Sequence, residues 1–419
     1  MKRSQLFTKT RKDAPSDEQA KNAQLLIRAG FVHKEMAGVY TYLPLGLIVL
    51  NKIIQIIREE MNAIGGQEMQ LTTLQQQDAW VASGRWSDEV MDVWFRTELA
   101  NGTTLGLAPT HEEPLTAIMK NFVNSYQDLP FYTYQFQTKF RNELRSKSGL
   151  MRGREFLMKD LYSFSKGKAE HDVFYEACAG AYMKVYERLG LGNITYRTFA
   201  SGGSFSKFSD EFQTLSPVGE DTIYIHEGKG IAINEEVNND EVLADLGIKR
   251  EELVAKTAVE VGNIFTLGTK YSEALGLNYT DESGAKKPVF MGSYGIGPSR
   301  VMGLIAEHFA DEKGLVWPVN VAPFHVYLVS IGNITEQAEK IYDDLQHAGI
   351  EVLYDDRDER PGFKFADAEL MGIPYRIIVS ERNSEHGNVE VVTRMDGEAY
   401  MISQNDLITF MTEKLSLSK

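Results

Sequence analysis

Residues 140–164 read FRNELRSKSGLMRGREFLMKDLYSF. The run opens on Phe140-Arg141-Asn142-Glu143, and residues two apart on a strand share a face, so Arg141 and Glu143 are expected side by side. A loop follows with Arg145, Lys147 and Arg152, loosened by Gly149 and Gly153. A second apolar run, Phe156–Phe164, then returns. Structural hairpins favour tight turns. Two strands joined by a long cationic loop make a poor hairpin of that kind and a good clamp for a polyanion that carries a flat base. The plain alternative is a salt-bridged surface hairpin.

Outward from this stretch, apolar spacing sets the frame. Residues 17–36 read as a helix, and Leu47, Leu50, Ile54, Ile57 and Met61 form one stripe of a second helix that ends at Gly65-Gly66. Strands are expected at 68–72, 104–109, 131–144, 194–199 and 257–266, and helices at 113–124 and 169–189. Beyond Trp317–Pro323 the pattern changes. Strands at 324–331, 352–354, 375–379 and 389–393 alternate with helices at 334–348, 363–371 and 407–415. That alternation predicts a separate α/β domain with a largely parallel sheet.

Bulk properties narrow the function. The chain has 419 residues, 43% hydrophobic and 25% charged, with a net charge of −15. No run of about 18 apolar residues occurs, so no membrane span is expected, and the N-terminal stretch lacks the apolar core of a secretion signal. The balance points to the cytoplasm. A single cysteine, Cys178, rules out a disulfide framework or a Cys-rich zinc site. The acidic balance argues against broad affinity for DNA or RNA, yet splayed RNA bases are read locally rather than by bulk charge. Residues 321–419 carry 9 Lys/Arg against 18 Asp/Glu, so any RNA contact there must be local.

The wording of several segments resembles one family. The 140–164 stretch is similar to motif 2 of class II aminoacyl-tRNA synthetases, in the form found in bacterial-type prolyl-tRNA synthetases. Leu43-Pro44-Leu45-Gly46 resembles motif 1, and Ala108-Pro109-Thr110-His111-Glu112-Glu113 resembles the proline-binding Thr-x-Glu loop. Residues Gly292–Arg300 (GSYGIGPSR) resemble motif 3, and Asp355–Gly362 (DDRDERPG) resembles the signature of a C-terminal anticodon-binding domain. The resemblance implies an α+β catalytic domain with an antiparallel sheet over residues 1–320, and an α/β anticodon-binding domain over 321–419. It further implies a homodimer that uses ATP and Mg2+ to couple L-proline to tRNA(Pro).

The same resemblance implies roles. Arg141 would hold the α-phosphate and the substrate carboxylate, Glu143 the adenine amino group, and Arg152 the outer phosphates. Arg300 would meet the ATP phosphates from the first helical turn after Gly297-Pro298, where the helix dipole disfavours a lone cation. Arg141 and Arg300 are thus the catalytic pair, suited to a reaction whose barrier is growing negative charge. A lone arginine is more often a solvated surface charge. Thr110 and Glu112 would bind proline's ammonium, with Asp160 in the same pocket. Met158 and Tyr162 would line the ring, and Gly202, Gly203 and Ser204 would supply a third loop. Relatives commonly carry a histidine after that Gly-Gly-Ser; this chain has none there, and Asp210 takes the equivalent place. No metal ligands are assigned. In the C-terminal domain Asp356, Arg357, Arg360, Phe363 and Lys364 would read the two guanines that proline anticodons share.

One expectation concerns an absence. Many bacterial-type relatives carry an editing domain between motifs 2 and 3, where this chain has only the acidic, weakly patterned 221–256. That stretch is too short to bury a core alone. It reads as a surface excursion. A pocket for proline rejects the smaller alanine by only about 1–3 kcal/mol, so alanyl-tRNA should form and a separate deacylase should clear it. Two other readings compete: a synthetase-like regulatory or accessory RNA-binding protein without catalysis, and an enzyme for another amino acid. The joint presence of Arg141, Glu143, Arg152, Arg300, Thr110 and Glu112 favours the catalytic reading.

Overall fold

The cationic loop is flanked by strands, as its apolar borders predict. In this computed structural model, which describes residues 1–146, 148–202 and 208–416, Phe131–Phe140 pairs antiparallel with Glu155–Ser165. The first strand stops at Phe140 rather than near 144. Arg141 still donates its amide to the Arg154 carbonyl at 2.9 Å, and Asn142 turns its amide to the Val93 carbonyl instead. These strands belong to a nine-stranded sheet within a unit formed by residues 54–148 and 152–301. Its central pairings are antiparallel, Val254–Gly268 to Phe290–Ile296 and Phe290–Ile296 to Glu155–Ser165.

Strand parity divides that sheet into a packed face and an open one. Lys159, Leu161 and Ser163 are buried on the side covered by helix Lys168–Arg188, which contributes Phe174, Cys178, Tyr182, Val185 and Tyr186. Fully burying each large apolar side chain stabilises the unit by about 1.5–3 kcal/mol. The other parity brings Glu211, Asn263, Gly295, Asp160 and Gln135 into one row of register across five strands. The glycines of residues 292–297 divide by the same rule. A Cβ at Gly292 would lie 2.6 Å from the His171 ring and 2.5 Å from the Tyr294 hydroxyl, so Gly292 serves helix packing. Gly295 stands on the row facing the open side, 3.0 Å from Asn263 by the same measure.

Residues 221–256 are more ordered than their composition suggests. Asp221–His226 and Ile231–Asn234 are strands of the main sheet, and Asp240–Leu246 is a helix capped by the Asn239 side chain. Ile233, Val237, Val242, Leu243 and Ile248 form a small core, completed by Phe199 from strand Thr195–Ser201. The excursion thus borrows an outside residue, as a segment of this length must. Strand pairings here close on themselves, because Val254–Gly268 pairs with both Asp221–His226 and Phe208–Leu215.

The second unit comprises residues 1–53, 149–151 and 302–419. Its five-stranded sheet runs Val352–Asp355, Val326–Ile331, Tyr375–Ser380, Asn388–Thr393 and Ala399–Ser403. The first three strands are parallel and the last two antiparallel, so the sheet is mixed. Ala399–Ser403 was not expected from sequence. The expected helix at 17–36 is the shorter Lys21–Arg28, followed by a hairpin of Val32–Met36 with Val39–Tyr42. His33, Lys34 and Glu35 give no helical apolar stripe, and the hairpin wins.

Candidate active site

Thr110, Glu112 and Glu113 lie where strand Thr104–Leu107 leads into helix Glu112–Met119. Thr110 Oγ1 donates to Glu112 Oε2 at 2.6 Å, and Ser293 Oγ donates to Oε1 at 3.3 Å. Arg85 Nη1, which sequence reasoning overlooked, reaches Glu112 at 3.4 Å and Glu113 at 3.1 Å. Both glutamates are buried. Burial pushes the Glu113 carboxyl up, against the pull of Arg85.

Asp160 sits in a denser network. Lys139 Nζ donates to Asp160 Oδ1 at 2.7 Å, while Gln135 Nε2 and the Tyr162 hydroxyl donate to Oδ2 at 2.9 and 3.0 Å. Burial raises the Asp160 carboxyl, the Lys139 charge lowers it, and the lowering prevails. Lys139 also donates to His111 Nδ1 at 2.7 Å, and His111 Nε2 donates to the Thr72 carbonyl at 3.0 Å. Burial, then the Lys139 charge, takes His111 down to about 4. The imidazole is therefore neutral at pH 7, with its proton on Nε2. Asp160 arrives in the pocket already paired, and Glu112 has the more loosely held oxygen. Lys139, Gln135 and His111 had no sequence signal beyond parity: Gln135 and Lys139 stand on the site side of a strand, where an apolar residue would be ordinary.

Arg141 is half-buried. Its Nε donates to the Pro109 carbonyl at 3.3 Å, and its guanidinium lies 5.3 Å from the Phe156 ring centre. Among the described residues no carboxylate pairs with it. Burial, then the nearby Arg300 charge, draws its affinity for a proton below the usual arginine value. The two guanidinium groups repel each other, and an anion would relieve that repulsion. Arg300 Nη1 meets the Glu260 carbonyl at 2.6 Å and Glu260 Oε2 at 3.1 Å. Arg152 bridges Glu143 at 2.9 Å and Glu220 at 2.6 Å. Met158 is half-buried, Tyr162 and Gly202 are buried, and Gly297 precedes the Pro298–His308 helix. Gly203 and Ser204 lie outside the described residues. Asp210 ion-pairs with Arg197 at 2.7 Å.

The C-terminal cluster is arranged differently. Arg357 forks onto Asp355 at 2.8 and 2.7 Å and also meets Asp367 at 2.8 Å. Lys364 is buried and donates to the Asp355 and Ser330 carbonyls. Asp356 accepts from the Ser4 amide and hydroxyl at 2.8 and 2.5 Å. Arg360 and Phe363 are exposed, Phe363 to 63%.

An antiparallel sheet with an arginine-lined open face, in a chain that also carries a mixed α/β domain, is the architecture of a class II aminoacyl-tRNA synthetase. The tRNA synthetase class II core domain (G, H, P, S and T) matches residues 95–309, and the anticodon binding domain matches 325–414. The chain is 34% identical over 564 residues to the proline--tRNA ligase of Geobacillus kaustophilus (strain HTA426), covering 97% of this chain and 98% of that one. Identity is 38% over 441 residues to the proline--tRNA ligase of Methylobacterium sp. (strain 4-46), with the same coverages. The chain belongs to the proline--tRNA ligase family. The Geobacillus match runs well beyond 419 residues, so that relative carries residues this chain lacks. By fold, the chain is similar to prolyl-tRNA synthetase of Cryptosporidium parvum complexed with halofuginone and AMPPNP. The TM-score is 0.78 at 20% identity, over 95% of this chain and 77% of that one. The same enzyme with L-proline and AMP gives 0.77.

Proposed function

We propose that this chain activates L-proline with ATP and transfers it to tRNA(Pro), and that Arg141 is the centre of the first step. Proline is a zwitterion. Its carboxylate suits the Arg141 guanidinium, and its ring ammonium suits Glu112, whose Oε1 has, among the described residues, only the long Ser293 contact. A carboxylate oxygen attacks the α-phosphorus, the bond to the β-phosphate breaks, and pyrophosphate leaves. Charge grows on the phosphoryl oxygens between Arg141 and Arg300, where fixed cations stabilise it most. No strong general base is needed. In the second step a ribose hydroxyl of the terminal adenosine attacks the activated carbonyl and AMP leaves.

The observation that carries this reading is Arg141, a partly buried cation without a carboxylate partner among the described residues, drawn down by burial and by Arg300. Glu143 and Arg152 hold each other and fit the adenine and the outer phosphates respectively. ATP would bring Mg2+. Glu211 and Glu260 suit such an ion: burial and the Glu260 charge both push the Glu211 carboxyl up, and a divalent cation would relieve that pair. Mg2+ typically takes one or two carboxylates together with phosphates, and there it would neutralise phosphate charge. A regulatory protein without catalysis would have no reason to keep Arg141, Arg300 and Glu112 on one face.

Arg360 and Phe363 are the side chains open to an unpaired base, with Asp356, Arg357 and Lys364 as the loop that carries them. A homodimer, a cytoplasmic location and a separate deacylase for alanyl-tRNA complete the proposal. Among the described residues no helix is long and apolar enough to cross a membrane. Proline-dependent exchange of pyrophosphate into ATP, followed by charging of tRNA(Pro), is the test. Exchange with another amino acid in preference to proline would overturn the substrate.

A further inference from the structure

Three of the chain's four tryptophans fall within residues 80–94 and pack with two arginines, Arg96 against Trp86 and Trp94 and Arg85 against Trp80. The Arg85 guanidinium lies 5.2 Å from the Trp80 ring centre and 5.6 Å from that of Tyr271. Trp94 meets Trp80 edge-on at 4.7 Å and Trp86 at 4.9 Å, and its indole N–H holds the Arg85 carbonyl at 3.1 Å. Trp94 in turn lies on Gly106, where any Cβ would come within 2.4 Å of the ring. Gly106 belongs to the strand that leads into the Thr110 loop. Trp94 thus ties the strand that leads into the loop to Trp80 and to the Arg85 backbone.

Arg85 Nη1 has three acidic or hydroxylic neighbours at once: Glu113 at 3.1 and 3.2 Å, the Tyr271 hydroxyl at 2.7 Å, and Glu112 Oε2 at 3.4 Å. Glu113 is also held by Ser83 Oγ at 2.7 Å. Two buried, adjacent carboxylates repel each other, and a fixed cation between them offsets that repulsion. Arg85 and Thr110 share Glu112 Oε2, which leaves Oε1 toward Ser293, a residue in register with Tyr162 of the pocket. We infer that Arg85 is a positioning residue for amino-acid binding. It cancels Glu113 so that the charge of Glu112 is spent on the substrate ammonium, and it fixes which Glu112 oxygen faces that ammonium. This rests on the reading of Glu112 as the ammonium acceptor.

A merely structural arginine would matter only through the buried charge of Glu113. The pair of changes Arg85→Leu and Glu113→Gln removes cation and buried anion together, which folded proteins often tolerate. We expect this double variant to melt near the parent while its KM for proline rises about tenfold or more, as for a lost charged hydrogen bond. KM for ATP should stay within about threefold. Arg85→Lys should recover most of the proline affinity. Tryptophan fluorescence titrated with proline reads the same shift without turnover, because Trp80 and Trp94 adjoin Arg85. A folded double variant with parental proline affinity would overturn the inference. If the double variant fails to fold, Arg85→Gln combined with Glu113→Gln takes its place under the same two measurements. Glu112→Gln is run in parallel. If it weakens proline and the Arg85 variants do not, this inference alone falls; if it leaves proline untouched, the reading of the pocket falls and the inference with it.

Discussion

Arg141 and Arg357 are both arginines that the motifs assign to nucleotides, and the structure treats them in opposite ways. Arg141 stands half-buried with a carbonyl and an aromatic ring for neighbours and a second guanidinium nearby. The Arg357 side chain makes three contacts to two carboxylates, including a fork onto the fully buried Asp355. The first is a partly buried cation with no carboxylate partner among the described residues. The second is already committed to its own loop. A motif says which residue types recur at a site; the partners decide whether each one meets the ligand or holds the residue that does.

The largest effect expected from this contrast is on stability. Arg357→Ala strands Asp355 in the C-terminal unit, and breaking a buried pair from one side costs about 3–5 kcal/mol. A lowered thermal transition should accompany any loss of tRNA charging, with pyrophosphate exchange intact while the protein stays folded. A variant that charges poorly yet melts normally would return Arg357 to direct base reading. Next comes Arg141→Ala. It should cut adenylate formation by about 10²–10³ without moving the melting temperature, like the loss of a preorganised oxyanion donor. Near-parental exchange in this variant would end its assignment. Arg300→Ala should behave similarly but with some loss of packing, since Arg300 also holds the Glu260 carbonyl.

How much of this was legible beforehand depended on range. The strand pair, the loop between it, the glycine turn before Arg300 and the alternating C-terminal elements follow from local spacing. What escaped was non-local. Arg85 pairs with residues 27 and 28 positions away, and nothing in a lone arginine reports that. The tryptophans near it in sequence do not report it either, because an aromatic-rich stretch usually means core. The commitment of Arg357 escaped in part for the same reason, since Asp367 reaches it only once Pro361–Met371 is helical. The excursion at 221–256 was underrated because its small core is completed by Phe199, from outside the segment.

Glu112→Gln is smaller in effect and sharper in meaning. It keeps shape and removes charge, so it should weaken proline by the worth of a charge-assisted bond, about 1.5–3 kcal/mol, and leave ATP nearly unchanged. Equal movement of both constants would give Glu112 some other role. Asp160 sets the counter-case. Its oxygens are already taken by Lys139, Gln135 and Tyr162, so Asp160→Asn should disturb the pocket through an unpaired buried Lys139 and show as lost stability first.

The smallest effect lies at the exposed end of the C-terminal loop. Phe363 is 63% exposed on the first turn of Pro361–Met371. An aromatic ring open to solvent beside Arg360 is suited to stacking on an unpaired base, which alanine substitution values at about 1–3 kcal/mol. Phe363→Ala should therefore raise the KM for tRNA(Pro), leave pyrophosphate exchange as it was, and leave the melting temperature in place. That combination is the reverse of the Arg357 result. If Phe363→Ala charges tRNA normally, the base-reading surface lies elsewhere on this domain. If it melts early, the ring is packing rather than recognition, and the contrast between held and offered side chains fails at this end of the molecule.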